Sequence, residues 1–542
     1  MTRPRATSGV RGARGAAGAR STVNVLLVLV GVLAAWWILA ATVLRPLETI
    51  PTPGEIVSRI ADDGLTFYWV NLKVTAMEAG QGYLLGVGLA IAASVLALLF
   101  PRLRGIVMQV AVITYSLPII AVGPVIYLMI GAPSSGDPSA TAVLLSALAI
   151  FFTTVVGTLL GLDAADQRSL DLVDVYGGSR LTRLMKVQLI AAVPSILTAL
   201  KVAAPISVLG AILGEYVGGV DRGLGPALLN AQQASDVSRT WALALAAALL
   251  AGAWFALMAL LSQLVTRLGW GVTEVSTTAT KRTPRSPWAV TGDVVVSLVV
   301  IGAVWTFGLR LFGISPFVGR TPAEVVGYLA DNSDSADGQN HFLALLPELW
   351  RTLLDTGMGF VLGLAAAVVA ASLFLVFPTL ERALMPLALF FQSVPLVAIA
   401  PVLIIIFGRG QFTVAMMGAI IVFFPALVNI GSALKNVPPA LIDLVRTYGA
   451  GRAGELVKIR VPACLPAIFA AVRIAIPGAL SGALLAEWLA TGQGIGSVVI
   501  TAVGSADTDV VWASVTVVTV TALILYGVAA LLENAARKRW GT

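Results

Sequence analysis

Apolar stretches of roughly 20 residues alternate with short polar segments along the whole chain. A helix of about 20 apolar residues is long enough to cross the hydrocarbon core of a bilayer. The pattern therefore predicts an all-α polytopic membrane protein with about twelve transmembrane helices. The predicted spans lie near residues 23–44, 76–99, 105–130, 140–161, 189–214, 240–266, 290–312, 352–376, 383–407, 412–431, 463–490 and 509–532.

Composition agrees with this pattern and removes several classes of function. Of the 542 residues, 58% are hydrophobic and only 12% are charged, about half the charge of a soluble domain. A nucleic-acid partner does not fit so apolar a chain. The single cysteine, Cys464, and the single histidine, His341, are too few for an internal disulfide or a recognisable metal-ligand cluster. We therefore predict no metal site.

The position of the cations predicts the orientation. Short cytoplasmic loops of membrane proteins collect lysine and arginine, and here the cations fall in alternate polar segments, while the intervening segments carry mainly aspartates. This alternation predicts a multi-pass protein of the cell membrane with both termini in the cytoplasm. The cations assigned to the cytoplasmic side, beyond those of the N-terminal tail, are Arg102, Arg104, Arg180, Arg183, Lys186, Arg267, Lys281, Arg282, Arg285, Arg382, Arg446, Arg452, Lys458, Arg460, Arg537, Lys538 and Arg539.

The two halves of the chain repeat one another. Thr52-Pro53-Gly-Glu55 recurs as Thr321-Pro322-Ala-Glu324. Each half holds an even number of predicted spans, so the repeats are parallel and related by an axis along the membrane normal. We predict a basic, disordered tail at 1–22, a first six-helix repeat at 23–270, a polar linker at 271–289, a second repeat at 290–536 and a basic tail at 537–542.

One polar loop is repeated in particular detail. It is expected to form a short helix that is broken at a Tyr-Gly pair, since glycine permits a turn that other residues resist, and its late proline is expected where the next membrane helix begins. A polar loop has little packing reason to be copied so closely, so we predict a docking surface used twice. Its residues are Asp174, Tyr176, Gly177, Arg180 and Pro194 in the first half and Asp443, Tyr448, Gly449, Arg452 and Pro466 in the second.

This loop resembles the EAA loop of ATP-binding-cassette (ABC) importer permeases, once in each half. Tyr448-Gly449-Ala450 fits the nitrate, sulfonate and taurine branch, whereas Gly178 stands at the alanine position of the first copy. Leucine and valine follow the acid where the family name expects two alanines. The resemblance implies a type I-like transmembrane domain with both permease domains in one chain.

The same resemblance implies partners and a substrate class. Two copies of an ABC ATPase subunit would dock on the loops, and an extracytoplasmic solute-binding protein would deliver a nitrate, sulfonate, taurine or pyrimidine-precursor type of solute. The chain has no Gly-Lys dipeptide and hence no Walker A phosphate loop. We therefore predict that it is not an enzyme, that it binds no cofactor, and that ATP and Mg²⁺ are held by the partner subunit.

A second set of repeated residues lies in the fifth and eleventh predicted spans. Proline, glycine and charged residues at membrane depth are tolerated where protein or a water-filled cavity surrounds them. We therefore predict that these residues line the transport pathway. We predict no catalytic residues. The alternative is that the cations reach the inner interface and the acids cap helix ends near water. The residues are Lys201, Pro205, Gly210, Glu215, Arg473, Pro477, Gly482 and Glu487.

A competing hypothesis is a secondary transporter built of two parallel six-helix repeats. That class of protein carries ion-coupling residues within the membrane, and it leaves the duplicated cytoplasmic loop without a role. An ungated channel or a structural membrane protein leaves still more of the pattern unexplained.

Overall fold

A computed structural model describes residues 30, 31, 33–134, 136–268, 287–311, 313–332, 339–393, 396–449 and 451–540. Within these residues all regular structure is helical. The predicted tail at 1–22 and nearly all of the linker at 271–289 lie outside the described residues.

In the described part of the first half, nine helices follow one another after residue 52. The long helix α7 contains a π-helical turn at Leu184–Gln188. The helices are α1 (Pro53–Asp63), α2 (Leu65–Leu99), α3 (Leu103–Ser116), α4 (Ile119–Ile130), α5 (Ala140–Asp163), α6 (Gln167–Val175), α7 (Arg180–Val217), α8 (Leu224–Gln233) and α9 (Val237–Arg267).

The second half begins with one further helix and then repeats the same order. A single helical turn, Arg452–Glu455, leads directly into α17, whose first turn, Leu456–Arg460, is also π-helical. Helices α1 to α9 correspond in order to α11 to α19. The helices are α10 (Pro287–Leu311), α11 (Pro322–Ala330), α12 (His341–Val376), α13 (Pro378–Ser393), α14 (Leu396–Phe407), α15 (Gln411–Lys435), α16 (Pro439–Thr447), α17 (Leu456–Thr491), α18 (Ile495–Gly504) and α19 (Thr508–Trp540).

The described residues contain eight helices that are long and apolar enough to cross a membrane, or nine if one bent pair counts as a span. The eight are α2, α5, α7, α9, α12, α15, α17 and α19. The sequence predicts about twelve, and the difference has local causes. The first predicted span, 23–44, is described only in part, and in the seventh, α10, only Leu298–Leu311 counts as an apolar helix. Two other predicted spans are each divided into two shorter helices.

The division in the first half is a sharp bend at Ser116-Leu117-Pro118. Helices α3 and α4 meet there at 95°. A residue that precedes proline is disfavoured in the helical conformation, and Leu117 accordingly has an extended backbone with ψ of 122°. The predicted third span, 105–130, is thus two helices at a right angle. The corresponding break between α13 and α14 falls at 394–395, outside the described residues.

Each half extends its broken span onto the other half. Helices α3 and α4 contact α19, and α4 also contacts α17 and α18; α14 contacts α7, α8 and α9, and α13 contacts α9. The Tyr115 hydroxyl donates to the Ile474 carbonyl across this boundary at 2.6 Å. The two halves are therefore joined by reciprocal contacts.

Glycines allow the membrane helices of each half to approach closely. A Cβ atom added to Gly86 of α2 would lie 2.7 Å from the carbonyl oxygen of Ala147 in α5, and one at Gly363 of α12 would lie 2.5 Å from the carbonyl oxygen of Ala419 in α15. Small residues at helix contacts are a common solution in membranes, where close van der Waals packing drives helix association.

The repeated Thr-Pro-x-Glu segments are two copies of one helix start. In both, the threonine hydroxyl accepts from the backbone N–H of the glutamate, and the glutamate carboxylate accepts from the backbone N–H of the threonine. This capping box satisfies amides that have no partner within the helix. The hydrogen bonds from Thr321 hold the pKa of the Glu324 carboxyl below its usual value.

The close approach of α2 and α5 can be tested with two alanine substitutions in one helix. Gly86→Ala should lower the thermal unfolding midpoint of the purified protein, because overpacking typically costs about 1–3 kcal/mol. Gly88→Ala is the matched control, since nothing lies within 4 Å of a Cβ at that position. Gly88→Ala should leave the midpoint unchanged or raise it. Equal midpoints for both variants would contradict the packing.

Candidate functional site

The repeated loop forms the same helix and turn in both halves. Helix α6 ends at Val175 and α16 ends at Thr447, and a tyrosine follows as the cap in each. The next residue has a positive φ, +71° at Gly177 and +76° at Gly449. Glycine adopts this left-handed conformation at little cost, and it commonly ends helices. The break predicted at Tyr-Gly is thus present in both copies.

Both tyrosines project from the protein surface. The exposed fraction is 82% for Tyr176 and 85% for Tyr448, and Leu172, Val175 and Leu444 on the same helices are also exposed. These loops are polar and lie outside the candidate spans, so contact with lipid does not account for the exposed apolar surface. Apolar groups clustered in such a place are typical of a surface that binds another protein.

An ion pair closes each loop, and its polarity is reversed between the halves. Arg183 donates to the Asp174 carboxylate at 3.0 Å, and Arg446 donates to the Glu455 carboxylate. The 272-residue offset of the repeat makes Asp174 equivalent to Arg446 and Arg183 equivalent to Glu455. In both halves the pair ties the helix before the turn to the residues after it, with acid and base exchanged.

The second ion pair is the better protected of the two. Glu455 is buried, and Arg460 approaches its carboxylate at 3.5 Å. The hydrogen bond from Arg446 lowers the pKa of the Glu455 carboxyl. A group with a lowered pKa in the folded state contributes stability at neutral pH and loses it as the pH falls through that lowered value. The loop of the second half should therefore loosen in acid.

The structure also corrects one detail of the sequence interpretation. The acid equivalent to Asp443 is Asp171, whereas Asp174 belongs to the reversed ion pair, and its role in docking stays a prediction. Pro194 and Pro466 do not mark the start of a membrane helix. They lie inside α7 and α17, where the surrounding protein can satisfy the backbone groups that a proline frees.

The remaining loop residues are placed as follows. Asp443 is exposed on α16. The Arg180 guanidinium donates to the carbonyl of Leu99 at 3.3 Å, at the end of α2, where helix carbonyls lack partners within the helix. Arg452 begins the short turn before α17, and its side chain lies outside the described residues.

The predicted pathway glutamates are buried at the ends of α7 and α17. The Glu215 carboxylate accepts from the backbone N–H of Gly225 at 2.6 Å, and the Glu487 carboxylate accepts from that of Gly496 at 2.8 Å. Each glutamate therefore holds the first turn of the following short helix, α8 or α18.

Two further side chains complete this arrangement in each half. In the first, Asn71 and Thr75 of α2 accept from the two preceding amides, those of Gly223 and Leu224, at 3.0 and 2.9 Å. In the second, Glu348 and Thr352 of α12 accept from the equivalent amides at 2.7 and 3.0 Å. We call each set of three acceptors an amide clamp: Asn71, Thr75 and Glu215, and Glu348, Thr352 and Glu487. The three amides belong to Gly223, Leu224 and Gly225, and to Gly494, Ile495 and Gly496.

The amide clamp explains the glycine-rich segment that follows each glutamate. Gly223 and Gly494 have φ of +142° and +84°. A Cβ atom at Gly494 would lie 2.3 Å from the Glu487 carboxyl carbon, and one at Gly223 would lie 2.5 Å from that of Glu215. A side chain at either position would displace the carboxylate, so these glycines are required by the clamp.

Four other predicted pathway residues, two glycines and two prolines, lie within α7 and α17. Gly210 and Gly482 lie at helix contacts, where an added Cβ would meet α5 at 2.6 Å or the Ile421 side chain of α15 at 2.5 Å. Pro205 and Pro477 lie inside α7 and α17.

The two cations differ from one another. Arg473 forms an ion pair with Glu533 at 2.8 Å. The first half has Ser262 in place of Glu533, and Lys201 has no ion pair among the described residues.

The comparison with known proteins identifies the family. The family of binding-protein-dependent transport system inner membrane components matches this chain twice, at residues 82–268 and 359–538. The chain belongs to this family. It therefore carries two ABC permease domains, and like other members of the family it has no ATPase activity of its own. The function is that of the inner-membrane permease of a binding-protein-dependent importer, and this excludes the secondary transporter.

Individual relatives agree with this assignment. A probable ABC transporter permease protein of Haemophilus influenzae is 32% identical over 33% of this chain and 74% of its own length. The riboflavin transport system permease protein RibX of Chloroflexus aurantiacus is 31% identical over 46% of this chain and 90% of its own. The taurine transport system permease protein TauC of Escherichia coli is 28% identical over 44% of this chain and 87% of its own length. Each relative matches less than half of this ABC permease.

The reversed ion pair gives a charge-exchange experiment. Arg446→Glu should speed hydrogen exchange of the backbone amides of 439–460 severalfold, because two carboxylates then face each other across the turn. The double variant Arg446→Glu/Glu455→Arg, which adopts the polarity of the first half, should recover most of the protection.

The exposed Arg409, changed to glutamate, is the control for net charge and should leave exchange of 439–460 unaltered. A double variant that exchanges as fast as the single variant would contradict the role of the pair.

The amide clamp can be separated from a direct pathway role by conservative substitution. Glu487→Ala should destabilise the permease by about 2 kcal/mol, because a buried amide loses its acceptor. Glu487→Gln keeps an acceptor and should cost less. The measurement is the thermal unfolding midpoint. Loss of transport in both variants at unchanged midpoint would instead favour direct contact with the transported solute.

Proposed function

We propose that this chain supplies both membrane halves of an ATP-driven importer, and that two ATPase subunits dock on the loops that follow α6 and α16. The observation that carries the proposal is the repeated turn with an exposed tyrosine, Tyr176 or Tyr448, at its tip. Membership of a binding-protein-dependent family implies an ATPase and a solute-binding protein in general. The duplicated loops supply one ATPase site per half.

The proposed membrane domain has twelve spans arranged as two parallel six-helix repeats. The eight long helices supply four spans in each half. The broken spans α3–α4 and α13–α14 supply a fifth in each. Helix α10 and the apolar segment near 23–44 would supply the last pair.

The proposed orientation places both docking loops and both chain termini in the cytoplasm of an inner-membrane protein. The support is the concentration of lysine and arginine around these loops, as expected of cytoplasmic segments. The amide clamps then lie toward the external side, because Glu215 and Glu487 end the helices that start beside the docking loops. The solute-binding protein would meet the permease at that external face.

A continuous helix connects each docking loop to the opposite side. Helix α7 runs from Arg180 to Val217 without a break in helical structure and has 38 residues, which corresponds to about 57 Å. Its counterpart α17 reaches Thr491. ATP-driven approach of the two ATPase subunits would move the docking turns together, and these helices would transmit the movement to the external end of the pathway.

The proposed substrate is a small solute of the kind that the named relatives transport. Those names include riboflavin, formylaminopyrimidine, taurine, aliphatic sulfonates and nitrate. Lys201, which has no anionic partner among the described residues, is the cation best placed to favour an anionic solute. The pathway role of Lys201, Arg473 and the other residues of α7 and α17 stays a prediction.

The docking proposal is tested by removing the exposed tyrosines one at a time. Tyr448→Ala and Tyr176→Ala should each weaken co-purification of the ATPase subunit with the permease about tenfold or more, as expected of a buried aromatic anchor in an interface. Binding is measured as the affinity of the purified ATPase subunit for the permease in nanodiscs.

Phe317→Ala is the control, since Phe317 is 67% exposed and lies away from the docking loops in the polar segment between α10 and α11. Unchanged affinity in both tyrosine variants would overturn the docking proposal. An effect of one variant alone would show that the two sites are unequal.

A further inference from the structure

Among the described residues, the buried core that the two halves share lies at the end where the amide clamps are found. One cluster of buried apolar side chains includes residues of both halves, among them Ile212, Tyr216, Val397 and Leu484, and it surrounds the amide clamps. The clusters nearer the docking loops each belong to a single half. Leu162, Leu184 and Ala192 form one of them, and a cluster that includes Leu434, Ile442 and Cys464 forms the other.

Two equivalent aromatic residues meet within the shared core. Tyr216 follows Glu215 and Trp488 follows Glu487, so the two positions are related by the repeat. Their ring centroids are 5.9 Å apart and the rings are nearly perpendicular, at 84°. This edge-to-face arrangement is favourable for aromatic pairs. A contact between equivalent residues of two parallel repeats lies on the axis that relates the repeats, which is also where a central pathway would run.

A hydrogen bond fastens the same contact across the two halves. The Tyr216 hydroxyl donates to the carbonyl of Val397 at 2.9 Å. Val397 lies four residues before Pro401 in α14. Proline has no N–H, so the carbonyl four residues earlier loses its helical partner. The tyrosine therefore supplies the hydrogen bond that Pro401 removes.

From these contacts we infer that Tyr216 and Trp488 form the closed external gate of the transport pathway, and that the bond from Tyr216 to Val397 latches it. Each gate residue directly follows a clamp glutamate at the end of a helix that starts at a docking loop. Movement of the end of α7 away from both α17 and α14 would break the ring contact and the latch. The inference rests on the proposed function, because it assigns the closed end to the external side.

The gate can be tested by cross-linking. In a Cys464→Ser background, which removes the single native cysteine, Tyr216→Cys/Trp488→Cys is treated with a short bifunctional methanethiosulfonate. The sample is the complex with its ATPase subunit in nanodiscs. Cross-linking should be efficient without nucleotide and several-fold weaker after trapping with ATP and vanadate. The cross-linked complex should lose most of its ATP hydrolysis, and a reducing agent should restore it.

A milder variant keeps the test informative if the cysteine pair disturbs folding. Tyr216→Phe removes only the latch and should raise the basal ATPase rate of the complex about fivefold, the effect of one buried hydrogen bond. Tyr83→Phe is the matched control, because the Tyr83 hydroxyl donates to the Leu200 carbonyl at 3.0 Å within a single half. Tyr83→Phe should leave the basal rate unchanged.

The outcomes distinguish the gate from the proposed function. If the parent complex hydrolyses ATP but the cross-link is insensitive to nucleotide, or the cross-linked complex hydrolyses ATP at the parent rate, the gate is overturned and the importer stands. Equal basal rates for Tyr216→Phe and Tyr83→Phe would overturn the latch. If the parent chain binds no ATPase subunit at all, both the proposed function and the gate are overturned.

Discussion

Backbone amides that begin a helix away from water must find acceptors, and lipid offers none. The helices α8 and α18 begin under this constraint, and in each case three side-chain oxygens from two other helices accept from their first amides. One acceptor comes from the end of the docking-loop helix, α7 or α17, and two come from α2 or α12. These hydrogen bonds fix the relative positions of three helices in each half, α2, α7 and α8 or α12, α17 and α18, at the end where the halves share a buried core.

The same constraint links the two halves. Pro401 frees a carbonyl in α14, and the acceptor is satisfied from the opposite half by Tyr216. The bend at Pro118 turns α4 toward the second half, where it contacts α17 and α18. The breaks in the helices thus contribute to the contact between the halves in two ways. One frees the carbonyl that accepts from Tyr216, and the other directs α4 onto the second half. Toward the docking loops, the buried apolar clusters each belong to a single half.

The features that could be predicted from the sequence are those that recur at a fixed spacing along the chain. The helical class, the duplication, the Tyr-Gly turn and the family follow from spacing and residue type. The acceptors Asn71 and Thr75 could not be predicted, because they reach their amides from a distant helix and form no motif. The number of spans was predicted less well, since a bent pair and a straight span have the same hydropathy. The equivalence of Asp171 with Asp443 follows from the offset of the repeat, whereas the ion pair of Asp174 with Arg183 depends on how the chain folds after the turn.

The exchanged polarity of the loop ion pairs has a genetic consequence. Two repeats in one gene can recombine with one another where their sequences are alike, and repeated exchange would make those segments identical. A crossover between the codons of the two paired positions would set Asp174 opposite a glutamate, or Arg446 opposite an arginine. Either hybrid would carry a repelling pair at the turn that we assign to ATPase docking. The reversal therefore opposes homogenisation of the two loops.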